Sequence, residues 1–219
     1  MNIVFDLDGT LIDSAPDIQS VAAIILNSID KEALSLAETR RFIGEGAAVF
    51  VRRMMDARDI DEARHSHAAL LEAFVAQYEF AVDKAVYYPG VYDTLLALKE
   101  SGFALGLCTN KPEAPARAVM HHMGMEALFD AVMAGGMMAS HKPEPDMLLQ
   151  TIESLGGGAT LYIGDSEIDA ETARRAAIPF ALFSEGYRKN PVSEMHHDWT
   201  FDDYDALGDI VDVFRLKHG

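Results

Sequence analysis

Three short apolar runs, each halted by a polar cluster, constrain this chain more than any other feature: residues 2–5, 103–108 and 160–163. Their length and their Gly or acidic boundaries read as buried strands. Helical patterns separate them, which is the alternation of an α/β chain with a parallel sheet. In such sheets the carboxyl ends of the strands form the ligand crevice. The first run ends in Asp6-Leu7-Asp8-Gly9-Thr10, the second in Thr109-Asn110-Lys111, and the third in Gly164-Asp165-Ser166 with Asp169 close behind. Alternation along an extended chain turns Asp6 and Asp8 to one side and sends Leu7 into the core. Singly, each tip also fits a polar turn leaving a strand. Jointly, with Lys142 in a loop just before a helix, they point to one shared edge of a sheet.

Residues 14–87 have a different texture. Ser14 is placed to cap a helix that Pro16 starts, and Ile18, Val21, Ala22, Ile25 and Leu26 give it one apolar stripe. Ser35 and Glu38 form a capping-box pattern opening a second helix that stops at Gly44. Further helices are expected over residues 47–55 and 61–82, with no strand pattern between 14 and 84. From Tyr88-Pro89-Gly90 the alternation resumes. Helices are expected over 91–100, 113–123, 145–155, from Asp169 onward and 204–214, and strands over 129–134, 180–183 and 199–201 besides those already named. The economical arrangement is an α/β core of residues 1–13 and 88–219 with an all-helical cap, residues 14–87, inserted after the first strand and overhanging the crevice. His65 with His67, and His121 with His122, are spaced for no shared ligation. Arg40, Arg41, Arg52 and Arg53 are expected on exposed faces.

Net charge is −17, from 35 acids against 18 Lys and Arg. That excludes a nucleic-acid binder and disfavours an anionic membrane, since both need a basic footprint. A small anionic ligand would need a local cation to overcome the field. The single cysteine, Cys108, allows no intrachain disulfide and suits a core filler in a reducing compartment. No leader pattern and no membrane-length apolar run is present, so a cytoplasmic location is expected.

The acids fit the hydrolysis of a phosphate monoester. A carboxylate nucleophile, Asp6, splits that slow reaction into two steps through an aspartyl-phosphate. A carboxylate and a phosphate dianion repel each other. A divalent cation with about six oxygen ligands, as Mg²⁺ prefers, would cancel the repulsion. Asp6 and Asp165 supply charged oxygens that outnumber the one cation of Lys142. Lys142 can stabilise the transferring phosphoryl group, which the Thr109 hydroxyl and the Asn110 backbone N–H can also bind. Asp8 remains as the acid that protonates the leaving alkoxide and then activates water. Thr10 would position Asp8 or the turn, and Gly9 lets the backbone approach closely.

These residues resemble the haloacid dehalogenase superfamily of phosphohydrolases, in order and over the whole core: Asp6-Leu7-Asp8-Gly9-Thr10, Thr109-Asn110, Lys142-Pro143-Glu144-Pro145 and Gly164-Asp165-Ser166 with Asp169. The resemblance implies a Rossmann-like core, an aspartyl-phosphate mechanism, and Mg²⁺ bound by the Asp6 side chain, the Asp8 backbone carbonyl and the Asp165 side chain. It gives Asp169 a supporting role or an occasional place among the ligands. Asp13-Ser14-Ala15-Pro16-Asp17-Ile18 and Arg41-Phe42-Ile43-Gly44-Glu45-Gly46 look more narrowly like phosphoglycolate phosphatases and their near relatives. Ile168 stands where many relatives carry a polar residue. Gly44, Glu45 and Gly46 fit either a loop dipping over the substrate or a plain turn between helices. Asp8 argues against a halide-releasing enzyme. A phosphosugar mutase, a pyrophosphatase or nucleotidase of the same superfamily, and a non-enzymatic phosphate-responsive switch are the alternatives. The expected partner is a small phosphate ester, and the chain is expected to be a monomer or homodimer.

Overall fold

The computed structural model describes residues 1–218 of the chain. Six strands form one parallel sheet: β1 (Asn2–Phe5), β4 (Ala104–Pro112), β5 (Ala131–Gly135), β6 (Thr160–Gly164), β7 (Phe180–Phe183) and β8 (Trp199–Phe201). Their spatial order is β5-β4-β1-β6-β7-β8. The first strand is therefore central, with β4 on one side and β6 on the other. Phe5 lies beside both Leu107 and Ile163. That register brings the polar ends of three strands, remote in sequence, onto one edge where the strand order reverses.

Period-two alternation sorts the side chains into two cores. Ile3, Phe5, Leu105, Leu107, Leu161 and Ile163 face one layer, packed with α5 (Val91–Glu100), α6 (Glu113–His122) and α9 (Leu207–His218). Val4, Cys108, Tyr162 and Leu182 face the opposite layer, α7 (Asp146–Ser154) and α8 (Glu167–Ala176). Both faces of the sheet are thus covered, which makes this a Rossmann-like α/β fold. Cys108 is fully buried and burial pushes its thiol up to about 12, so it is inert filler as expected.

Four helices, α1 (Ala15–Asn27), α2 (Leu36–Phe42), α3 (Ala47–Ala57) and α4 (His67–Tyr78), enclose a separate apolar cluster. It contains the expected α1 stripe together with Phe50, Met54, Leu70, Phe74 and Tyr78. The Ser35–Glu38 capping box forms with both bonds in place. Where the chain enters and leaves this helical unit, β2 (Ile12–Asp13) and β3 (Val86–Tyr87) pair as a short antiparallel ribbon.

Several local expectations are corrected. The ribbon's two-residue strands are too short to show a period in sequence. The helix expected over 61–82 spans only α4, because Asp61 opens a turn, its carbonyl accepting the Arg64 and His65 N–H, and Ser66 then caps α4 through the Ala69 N–H. Ser14 occupies the N-cap position of α1 but makes no capping bond. Strand β4 runs beyond Cys108 through Thr109, Asn110 and Lys111 to Pro112, its pairing with β5 shifting register after Cys108. No helix among the described residues is long and apolar enough to cross a membrane.

Candidate active site

Asp6 follows β1 directly, and its backbone N–H continues the ladder to the Ile163 carbonyl at 2.9 Å. The chain then turns at Gly9, where φ is +91°. A Cβ there would meet Asp165 Oδ2 at 2.5 Å, so only glycine lets the turn and Asp165 approach this closely. Leu7 is fully buried, as alternation requires, while Asp6 and Asp8 face the crevice.

Lys142 is the electrostatic centre. Its Nζ lies 2.8 Å from Asp6 Oδ1 and 2.7 Å from Asp169 Oδ1, and also donates to the Cys108 carbonyl at 2.9 Å. The Tyr162 hydroxyl, 3.0 Å from the same ammonium, donates to Asp169 Oδ1 at 2.6 Å. Burial alone would neutralise this lysine, but Asp169 and Asp6 outweigh it and hold its pKa above the usual value. Asp169 sits at the third position of α8 and shares a capping box with Ser166, which engages its Oδ2. Burial pushes Asp169 up, yet Lys142 and the bonds from Ser166 and Tyr162 prevail and keep it ionised below the ordinary range.

Asp165 is fully buried, accepting from Thr10 Oγ1 at 2.9 Å and the Tyr187 N–H at 2.5 Å. Thr10 thus holds Asp165 rather than Asp8, and its fully buried side chain lines neither cavity at the crevice. Burial raises Asp165 well above a normal carboxylate, with Asp169 and Asp6 adding repulsion. Asp6 is raised to about 7, first by burial, with Lys142 opposing and Asp169 and Asp8 adding to the rise. These acids lack sufficient positive charge of their own.

Carboxylate oxygens of Asp6, Asp165 and Asp169 lie within 4.8 Å of one another. A divalent cation fits that excess of negative charge. Both Asp169 oxygens are already committed to Lys142, Tyr162 and Ser166, so Asp169 suits the holding of Lys142 better than ligation. Asp6 Oδ2 and the Asp8 carbonyl oxygen accept no hydrogen bond among the described residues, and each Asp165 oxygen accepts one against two for each Asp169 oxygen, which leaves Asp6, Asp8 and Asp165 with capacity for a cation.

Asp8 is held differently. Ser14 Oγ donates to its Oδ1, which is why Ser14 is unavailable as a cap, and Lys111 Nζ donates to the same oxygen at 3.0 Å. Lys111 in turn contacts the Tyr78 hydroxyl and sits 4.0 Å from that ring's centroid. The Asn110 side chain does a structural job. Its Oδ1 accepts the Lys142 N–H at 2.9 Å, and its amide donates to the carbonyls of Lys142 at 2.9 Å and Gly44 at 3.1 Å. Thr109 Oγ1 accepts the Lys111 N–H at 3.2 Å.

A cavity opens above Asp6 and Asp8. Thr109, Asn110 and Lys111 form its core-side rim, Gly44 and Gly46 its edge, and Ile18, Phe50, Phe74 and Tyr78 its apolar wall. Gly46 has φ of +86°, and a Cβ would come within 3.3 Å of the Asn110 carbonyl. Glu45 is not brought to the cavity, because its carboxylate pairs with Arg53. A second, narrow opening reaches Asp6, Asp8 and Asp165 from the side of Glu167, Ile168, Tyr187 and Lys189. No histidine lines either one.

Sequence reasoning missed Lys111, Tyr78, Tyr162 and Tyr187. The Tyr187 phenol accepts the Ser14 and Ala15 N–H groups at 2.9 and 3.0 Å and donates to Asp13 at 2.6 Å, joining the start of α1 to the loop that holds Asp165. Only Lys111 carried a signal, as a cation directly after Thr109-Asn110 at a strand tip.

The model of the haloacid dehalogenase-like hydrolase family matches residues 3–183. The chain is 40% identical over 210 residues to a phosphoglycolate phosphatase of Cereibacter sphaeroides, covering 95% of this chain and 96% of that one. It is likewise 40% identical over 210 residues to a phosphoglycolate phosphatase of Rhodobacter capsulatus, covering 96% of each. A crystal structure of a predicted phosphoglycolate phosphatase from Haemophilus somnus superposes with a TM-score of 0.90 at 28% identity, over 96% of this chain and 97% of that one. With the acids, the lysine and the parallel sheet arranged as described, the chain belongs to the haloacid dehalogenase-like hydrolase family, as an enzyme similar over nearly its whole length to phosphoglycolate phosphatases.

Proposed function

We propose that this protein is a cytoplasmic Mg²⁺-dependent phosphatase that hydrolyses a small phosphate monoester of the 2-phosphoglycolate type through phosphorylated Asp6. The observation that carries the reading is the Asp6–Lys142 contact at 2.8 Å beneath a cavity that Asp8 also lines. In the first step an Asp6 oxygen attacks phosphorus, the P–O bond to the alcohol breaks, and Asp8 gives its proton to the leaving oxygen. In the second, Asp8 takes a proton from water, which attacks the same phosphorus and returns Asp6 as a carboxylate. Lys142, fixed by Asp169 and the Cys108 carbonyl, offsets charge on Asp6 and the transferring group. Thr109 and the Asn110 backbone N–H bind that group's oxygens.

When bound by Asp6, Asp165 and the Asp8 carbonyl, Mg²⁺ supplies the positive charge that lets a carboxylate approach a phosphate dianion. The helical unit, residues 14–87, acts as the cap: its apolar wall excludes water from the cavity and limits the ester's size. Gly44 and Gly46 belong to the loop over the substrate, anchored by the bond from Asn110 to Gly44, while Glu45 braces that loop through Arg53.

Phosphate release from a panel of esters with and without Mg²⁺ tests the reading, 2-phosphoglycolate, sugar phosphates, nucleoside monophosphates and pyrophosphate among them. Mg²⁺-dependent turnover with 2-phosphoglycolate among the best substrates is expected. Conversion of a hexose 1-phosphate to its 6-phosphate without free phosphate would favour a mutase, and no turnover of any ester would favour a phosphate-responsive switch.

A further inference from the structure

Lys111 is a buried cation that the mechanism above leaves without a task. Its side chain is 2% exposed, yet it lines the cavity rather than the packed core. An ammonium carries three N–H donors. The structure gives this one two partners, Asp8 Oδ1 and the Tyr78 hydroxyl, so one donor remains for a ligand. It is also the sole cation on the cavity wall, whose other charged residues are Asp6 and Asp8. Lys142 lies behind Asp6 with its donors committed.

Position fixes what Lys111 can read. A general acid must lie about 2.6–3.2 Å from the oxygen it protonates. Lys111 is 3.0 Å from Asp8 Oδ1, so whichever Asp8 oxygen carries the proton, the ammonium falls within about 8 Å of the ester oxygen. An anionic group one or two carbons beyond that oxygen comes within contact distance. Without Lys111 the same group would enter a largely apolar cavity with no cation on its wall to offset its charge. Ile18, Phe50 and Phe74 complete the wall and offer a longer polar tail no hydrogen bonds.

Resting on the phosphatase reading, we propose that Lys111 is the specificity-determining residue for the substrate's leaving group: it binds a carboxylate close to the phosphate ester, with Tyr78 holding the ammonium in place. The substrate class is then short phosphorylated hydroxy acids, in preference to equally small esters with neutral tails.

The test compares 2-phosphoglycolate with ethyl phosphate, similar in size but lacking the carboxylate, in wild-type enzyme and in Lys111→Met and Lys111→Gln, with Mg²⁺ present. Wild type is expected to favour 2-phosphoglycolate by about ten-fold or more in kcat/KM. Both variants should lose at least that factor more on 2-phosphoglycolate than on ethyl phosphate, chiefly through KM. Equal losses on the two esters would overturn the proposal, because Lys111 would then act only through Asp8. If neither variant folds, judged by circular dichroism, the wild-type ratio decides: no preference for the carboxylate overturns the proposal. Failure of wild type to release phosphate from any ester would overturn the phosphatase reading and this proposal with it.

Discussion

The floor and the roof of the cavity are built on opposite principles. The floor is made of Asp6, Asp165, Asp169 and Lys142, all buried and fixed by short bonds among the ends of β1 and β6, the start of α8 and the loop before α7. The roof is Ile18, Phe50, Phe74 and Tyr78, apolar side chains on helices. It meets the floor through a few polar links: Asn110 to Gly44, Lys111 to Tyr78, and Tyr187 to the start of α1. A rigid, charged floor keeps reacting groups aligned. On the phosphatase reading proposed above, a roof held by few bonds would be the part that opens to admit substrate and selects it.

That contrast can be broken first at the floor. Asp6→Asn should lower phosphate release on the order of 10³-fold or more while leaving the fold intact, because only the nucleophile is lost. Steady-state turnover with a circular dichroism control checks this. Lys142→Met should cost activity and stability together. It leaves Asp6 and Asp169 buried without their cation, a loss of about 3–5 kcal/mol read by denaturant unfolding.

The roof should respond more gently. Tyr187→Phe removes the hydroxyl shared by Asp13, Ser14 and Ala15, and is expected to cost about 1–3 kcal/mol and to change KM more than kcat. Thermal unfolding and kinetics on one substrate separate the two effects.

The last effect expected is on pH dependence without metal. Asp6 is raised from 3.8 to about 7, so the folded chain holds this proton more tightly than the unfolded chain does. Its contribution therefore favours folding at low pH and is lost as pH climbs from about 4 through 7. In chelator, wild type should lose thermal stability across that window relative to Asp6→Asn. Added Mg²⁺ should stabilise wild type most at the upper end, where Asp6 is ionised.

The same contrast decides what could be read in advance. The floor was legible because Asp6 and Asp165 end apolar runs, with Asp169 close behind the second, and a parallel sheet must bring such ends together. The roof was not. Lys111 reaches Asp8 across 103 positions through the pairing of β1 with β4, and Tyr78 across 33, a contact that exists only once the helical unit has packed on the sheet. Ser14 reads as a cap by type, but a nearby carboxylate outcompeted the backbone N–H for its hydroxyl. Thr10 reads as positioning Asp8 or the turn because both are near it in sequence, whereas the fold places Asp165, 155 positions away, within its reach. Glu45 followed its neighbours Gly44 and Gly46 into the expected loop, and only the packing of α3 shows that Arg53 claims it.

The central claim is that phosphorus passes through Asp6. The most direct measurement is acid quenching of a single turnover with ³²P-labelled 2-phosphoglycolate and Mg²⁺, one half being counted for ³²P retained on the protein and the other reduced with tritiated borohydride, which expels the phosphate, and peptide-mapped. Retained ³²P, and tritiated homoserine at position 6, should appear in wild type and vanish in Asp6→Asn. Phosphate formed at the normal rate with no label on Asp6, or with label on another residue, would contradict the account.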